Sequence, residues 1–308
     1  MQEQHSNTEE ILSELERNIK DFDKASIEEI CQSVLAGEPE NAKAHKMLFE
    51  MALSSGDLEE AEKHAITWIT AADGFIPRFY LASMLSKAGR DHDAIEQFQF
   101  ALRDSTGEEV ELFDAFKAMG NSYVRTLDYQ SAEELYNRAY ALNPNSDILE
   151  VNYGTLFIQM NRFIEAAERF KNAVALNPAN EKAWIGLALS YRGLRENDLA
   201  FANIQKALEL DAKSSIATQL LFDWAFQDNQ FELLTRTLEA KLKSDAAQLK
   251  DAIILAKVFA YQAYWVPATE LLQGFINKYS DGNTEEHATE IAEAQTLLEF
   301  CKSKLSNV

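Results

Sequence analysis

Tyr136–Pro144 reads YNRAYALNP, and Phe170–Pro178 reads FKNAVALNP. The two stretches lie 34 residues apart and share one profile: an aromatic residue, an alanine three positions on, and a closing Asn-Pro. The step recurs outward from them. Ala132, Ala166 and Ala200 form one ladder, Tyr136, Phe170 and Ile204 a second, and Ala139, Ala173 and Ala207 a third. Gly120 and Gly154 keep the same step, as do Tyr123 and Phe157. A single match is expected by chance in an alanine-rich chain. Three registers at one step make an internal repeat.

Within each repeat the apolar residues recur at three- and four-residue spacings, the period of a helix. A polar break near the middle splits each repeat into two helices: Leu127-Asp128-Tyr129, Asn161-Arg162-Phe163 and Glu196-Asn197-Asp198. Pro39, Pro144 and Pro178 fall between repeats. Pro77 and Pro267 fall where a helix begins, and there a missing N–H costs little. The alanines have a mechanical role, since a small side chain at the crossing lets two antiparallel helices approach while Tyr136 or Phe170 fills the space alongside.

These residues resemble the tetratricopeptide repeat family. Residues 147–180 carry Tyr153, Gly154, Phe157, Ala166, Phe170, Ala173 and Pro178 in its pattern, and residues 181–214 carry Trp184, Leu187, Ala188, Tyr191, Ala200 and Ala207. The resemblance implies an all-α fold, a right-handed α-solenoid of stacked antiparallel helix pairs, with repeats near 8–41, 42–74, 75–112, 113–146, 147–180, 181–214, 215–248 and 249–282. A flexible segment 1–7 is expected before them. An insertion, Glu109–Leu112, separates the third repeat from the fourth. The repeat 215–248 has lost most of its small residues, with Leu234 where alanine is expected. Residues 283–308 are expected to cap the array with a helix over Thr284–Leu305. There Ala288, Ile291, Ala292, Gln295, Leu298 and Leu305 face inward, and Glu285, Glu286, Glu290, Glu293 and Glu299 face water.

Composition narrows the function. The 308 residues are 46% apolar, so wholesale disorder is excluded. With 29 Lys+Arg against 50 Asp+Glu the formal net charge is −21, which opposes approach to nucleic acid or anionic membrane. Cys31 and Cys301 form neither a disulfide framework nor a zinc motif. No signal peptide or membrane-spanning run is evident, so a cytoplasmic location is expected. Nucleophile elbows, phosphate-binding glycine loops and metal-ligand spacings are missing, and the five histidines are scattered. The expectation is therefore no enzyme activity, no cofactor and no metal.

The resemblance to tetratricopeptide proteins also implies where binding occurs. Their concave surface is lined by the first helix of each pair, at the second, fifth, sixth, ninth, twelfth and thirteenth positions. Those positions give Lys117, Asn121, Val124 and Arg125, then Val151, Asn152, Thr155 and Ile158, then Lys182, Ile185, Leu189 and Arg192. The set is similar to the carboxylate clamp of chaperone-binding members. Lys117 and Asn121 match its first pair, Asn152 its second element and Lys182 its third. Gly186 stands where the clamp has arginine, leaving Arg192 as the nearby cation. Charge agrees with a site in the middle of the chain: residues 1–112 carry net −14, residues 113–214 only −2. The expected function is a non-enzymatic adaptor that binds a peptide segment of a partner protein, through a free C-terminal carboxylate or a basic segment. The alternatives are a homo-oligomeric scaffold assembling through its terminal repeats, and a regulatory subunit that recruits an enzyme.

Overall fold

The computed structural model describes residues 2–18, 22–103, 108–244, 248–280 and 287–306. It forms two compact units, Met1–Met160 and Asn161–Val308. The first holds α1 (Gln2–Arg17), α2 (Lys24–Gly37), α3 (Ala42–Ser55), α4 (Leu58–Ala71), α5 (Phe75–Lys87), α6 (Asp91–Arg103), α7 (Glu109–Arg125), α8 (Tyr129–Leu142) and α9 (Asp147–Gln159). The second holds α10 (Phe163–Leu176), α11 (Glu181–Gly193), α12 (Asn197–Leu210), α13 (Ser215–Asp228), α14 (Glu232–Leu242), α15 (Leu249–Tyr261), α16 (Trp265–Ser280) and α17 (Ala288–Leu305). Every regular element among the described residues is a helix. Within each unit, helices joined by short turns pack as antiparallel pairs that stack in chain order, the all-α solenoid arrangement. The division passes through the repeat at 147–180, so α9 belongs to the first unit and α10 to the second.

Local chemistry sets the helix ends. First helices start on a polar cap: Asn41, Ser146, Asn180 and Ser214 accept from the amides of Ala44, Leu149, Ala183 and Ala217 at 3.0, 3.2, 3.3 and 3.3 Å. Between the helices of a pair one residue turns left-handed. It is glycine at Gly56 (φ 80°) and Gly89 (φ 79°), but Leu127 (65°), Asn161 (58°), Arg195 (64°), Asn229 (57°) and Ala263 (62°) elsewhere. The next amide then bonds back into the helix just ended, as from Asp128 to the Tyr123 carbonyl at 2.9 Å and from Tyr264 to that of Phe259 at 2.7 Å. These bonds satisfy carbonyls that a bare helix end would leave open.

The alanine ladder lies at the crossings. Ala61, Ala94, Ala132, Ala166, Ala200 and Ala268 are all fully buried. Beside them Tyr136, Phe170 and Ile204 are 1%, 1% and 0% exposed, burial that contributes roughly 1.5–3 kcal/mol for each such side chain. Gly120 leaves room for Tyr136, since a Cβ there would lie 2.5 Å from the ring.

Several expectations are corrected. Helix α1 begins at Gln2, so residues 2–7, expected to be flexible, are helical. The insertion Glu109–Leu112 does not stand apart from the repeat but lengthens α7 by a turn at its start, fixed by reciprocal bonds between Glu108 and Glu111. Thr284, Glu285 and Glu286 lie outside the described residues. In α17, Ile291, Ala294, Leu298 and Cys301 are buried, whereas Ala288, Ala292 and Gln295 are exposed. The helix carries apolar residues on two adjacent faces, and the bulkier Ile291–Leu298 face wins the core. In the repeat at 215–248, Leu234 is fully buried in the alanine position. There α14 starts three residues after the left-handed Asn229 rather than two, and α13 and α14 approach less closely than α11 and α12 before them or α15 and α16 after them.

Candidate functional site

The expected groove residues divide between the two units. In the first, α7 carries Lys117, Asn121 and Arg125, and α9 carries Val151, Asn152, Thr155 and Ile158. Lys117 is largely buried, with its ammonium 2.6 Å from Asp114 Oδ1 and 4.8 Å above the Phe113 ring. Asn121 Oδ1 accepts from the Tyr136 hydroxyl at 2.6 Å and from Asn152 Nδ2 at 3.0 Å. Burial pushes the Tyr136 hydroxyl pKa well up, so it stays a donor and fixes the Asn121 amide with its NH2 group turned away from both bonds. Lys117, Asn121 and Asn152 are thus brought together. Val151 and Ile158 are half-buried, Thr155 is exposed, and Val124 is buried.

Arg125 is already engaged. Its guanidinium holds both oxygens of Asp91 at 2.6–3.0 Å, the Ser86 hydroxyl at 2.6 Å and the Ser122 hydroxyl at 3.1 Å. Burial would raise the Asp91 carboxyl, but the bonds from Arg125 and Ser122 and the charge of Arg125 outweigh it and hold the group below its ordinary value. The residue ties α5, α6 and α7 together.

Beside α7 opens a cleft of about 790 Å³. Lys117, Asn121, Arg125 and Asp114 line it from α7, and Phe79, Tyr80, Ser83 and Lys87 from α5, with Leu53 and Leu58 adding apolar wall. Lys87 is exposed and makes no ion pair among the described residues. The α5 residues were not in the expected set. They occupy the fifth, sixth, ninth and thirteenth positions counted from Phe75, so the counting that selected Lys117 and Asn121 finds them when begun one repeat earlier.

In the second unit, Lys182 is exposed, Leu189 is half-buried, and Ile185 is 8% exposed within the core rather than on the groove. Arg192 is held by both oxygens of Asp228 and by Gln227 Oε1 at 2.9 Å, and stacks 5.4 Å above Trp224. The bond from Arg192 keeps the Asp228 carboxyl below its usual value. Gly186 is buried, and a Cβ there would lie 2.1 Å from the Phe170 ring, so the position of the clamp's arginine has no room for a side chain. The two arginines nearest a clamp role therefore hold helices together instead. Among the described residues no group of three or more His, Cys, Asp or Glu side chains is placed to hold a metal ion, and no helix is long and apolar enough to cross a membrane.

A family model, tetratricopeptide repeat, matches residues 151–215. Heat shock protein STI1 of Saccharomyces cerevisiae is 32% identical over 108 residues, 34% of this chain and 18% of that protein. The DnaJ homolog subfamily C member 7 homolog of Schizosaccharomyces pombe is 29% identical over 146 residues, 44% of this chain and 31% of that protein. RNA polymerase II-associated protein 3 of Homo sapiens is 22% identical over 199 residues, 65% of this chain and 28% of that protein. The chain spans less than a third of the length of each. Among solved structures, the APC/C hetero-tetramer Cut9–Hcn1 is similar with a TM-score of 0.56 at 18% identity, covering 76% of this chain and 45% of that one. YrrB, a TPR protein with an unusual peptide-binding site, is similar with a TM-score of 0.50 at 18% identity, covering 62% of this chain and 96% of that one. Likeness at these identities establishes the fold.

Proposed function

We propose that this tetratricopeptide repeat chain is a cytoplasmic, non-enzymatic adaptor that takes a peptide segment of a partner protein into the cleft between α5 and α7. The observation that supports it is the cleft itself. An apolar wall of Leu53, Leu58 and Phe79 meets a rim with the ammoniums of Lys87 and Lys117 and the amide of Asn121. Apolar contact supplies affinity, and a few polar groups fix orientation. A charged hydrogen bond from Lys117 to a peptide carboxylate contributes about 1.5–3 kcal/mol. The Lys117, Asn121 and Asn152 group keeps part of the clamp chemistry. With Arg125 beside it already engaged by Asp91, grip on a chain terminus rests on the two lysines.

Peptides selected from a displayed proteome library against the full chain test the reading, measured by fluorescence polarisation against Lys87→Ala and Lys117→Ala. Selected peptides are expected to lose affinity with both variants, and amidating their C-termini shows whether the terminal carboxylate is the group held. Failure to select any peptide, or affinities unmoved by either substitution, would refute it.

A further inference from the structure

Two histidines of the first unit meet inside the repeat at 42–74 and take no part in the cleft. His45 on α3 is 7% exposed, and the His64 side chain on α4 is 12% exposed. Their Nδ1 atoms lie 2.9 Å apart and their ring centroids 5.1 Å apart, so the rings meet nearly end to end. At that separation one proton lies between the two nitrogens. The outer nitrogens are placed as well. His45 Nε2 is 2.9 Å from the Pro39 carbonyl, which can only accept, so this nitrogen carries a proton. A neutral His45 therefore has a bare Nδ1, and the proton between the rings belongs to His64. His64 Nε2 then faces the Glu60 carboxylate at 3.2 Å, which favours a further proton there.

This arrangement limits how many protons the pair holds. Neutral rings carry two. A third, on His64 Nε2, keeps every contact, and Glu60 offsets its charge. A fourth has to enter at His45 Nδ1. It would set N–H against N–H and one cation against another at a buried helix crossing. Protons reach the pair from a cavity of about 620 Å³, lined by His64 and Glu60 on α4, Leu48 and Met51 on α3 and Leu35 on α2. Burial, then the neighbouring His45, hold the His64 ring below its ordinary value of 6.5; Glu60 pulls it up and Lys63 opposes. Asp57 at the start of α4 and Lys24 and Glu28 on α2 share the cavity. The other charges nearby are engaged. Glu38 in the turn accepts from Asn41 at 2.8 Å, Glu16 on α1 holds Lys43 and Lys46 of α3 at 3.0 Å, and Asp73 holds Arg78 of α5 at 2.6 Å.

We propose that the His45–His64 contact is an acid-sensitive latch, which fastens α3 to α4 while one proton lies between the rings and opens when both rings become cations. The open form accepts a proton that the closed form refuses. Opening therefore grows as pH falls below the ordinary imidazole value, by up to about tenfold per pH unit. The latch does not depend on what the cleft at α5 and α7 binds.

Hydrogen exchange of the full chain tests it, with protection of the α3 and α4 amides referenced to α8, a helix without histidine. From pH 6.5 to 5.0 the ratio is expected to fall about tenfold. Ring 15N shifts should show His45 Nδ1 bare at pH 7.5. His64→Asn places an amide near the Nδ1 position, and an amide can turn either its oxygen or its NH2 group toward His45, so it tolerates the extra proton. The variant is expected to hold the ratio within about twofold over the same range. His45→Asn removes the refusal from the other helix and should behave alike, which covers the case where one variant fails to fold. The proposal is overturned if the parent ratio does not change with pH, if either folded variant keeps the parent's fall, or if His45 Nδ1 is protonated at pH 7.5.

Discussion

The left-handed residue in each inter-helix turn gives a quantitative test of the repeat. Arg195 and Ala263 adopt φ of 64° and 62°, where an L-residue is disfavoured by roughly 1–2 kcal/mol. Both are exposed, so replacing them removes little packing. Glycine relieves the strain but adds unfolded-state entropy of about 0.5–1 kcal/mol. The net expectation for Arg195→Gly or Ala263→Gly is a stabilisation of about 0.5–1 kcal/mol each. Leu127 has the same conformation, yet about a third of it is covered at 68% exposure. Losing that contact returns roughly 0.5–1 kcal/mol, so Leu127→Gly is expected near zero.

The controls are built into the chain. Asn161 and Asn229 tolerate this conformation, so Asn→Gly there should change little or destabilise slightly. Gly56 has open space where a Cβ would go, so Gly56→Ala tests backbone strain alone and should destabilise by about 0.5–1 kcal/mol. Urea unfolding followed by far-UV circular dichroism reads all of these. With m near 2–3 kcal/mol/M, the Arg195→Gly, Ala263→Gly double variant should raise the midpoint by about 0.4–0.8 M. A midpoint at or below that of the parent, with Gly56→Ala also silent, would refute the assignment of strain to these turns.

Other outcomes follow from single contacts. Lys241 and Asp251 form a buried pair at 2.9 Å with side chains 5% and 1% exposed; neutralising either alone should cost about 3–5 kcal/mol, and replacing both with apolar residues should recover most of it in urea melts. Gly186→Ala forces Phe170 aside and should destabilise by about 1–3 kcal/mol, with Phe170→Leu restoring part of the loss in the double variant. Asp91 has a folded pKa below its ordinary 3.8, so it adds stability above that value and loses it as pH falls through the folded value. Without Arg125, burial raises the Asp91 carboxyl, so Arg125→Ala should move the acid-unfolding midpoint to higher pH.

The repeat was legible because each of its signals is local or strictly periodic. Ala132, Ala166 and Ala200 share a step, and the breaks at Leu127–Tyr129 and Asn161–Phe163 begin on the left-handed residues the structure shows, while the break at Glu196–Asp198 follows directly on the left-handed Arg195. The register of α17 was not, because Ala288 and Ala292 on one face and Ala294 and Cys301 on the next both satisfy a helical period. Only the neighbouring helices α15 and α16 decide which face is covered. The candidate groove divides in the same way. Of the residues chosen by position in the repeat, Lys117 and Asn121 line one cleft and Asn152 bonds Asn121, whereas Val124 and Ile185 are buried. Position does not say whether a side chain is free to bind. Arg125 finds Asp91 34 residues earlier and Arg192 finds Asp228 36 residues later, near enough to one repeat that adjacent pairs bring them face to face. An arginine near the end of a first helix, with an acidic residue about one repeat away, is therefore better read as a tie between neighbouring pairs than as a ligand-binding group. By that rule the proposed binding rests less on the arginines than on Lys87 and Lys182, which are exposed and make no ion pair among the described residues.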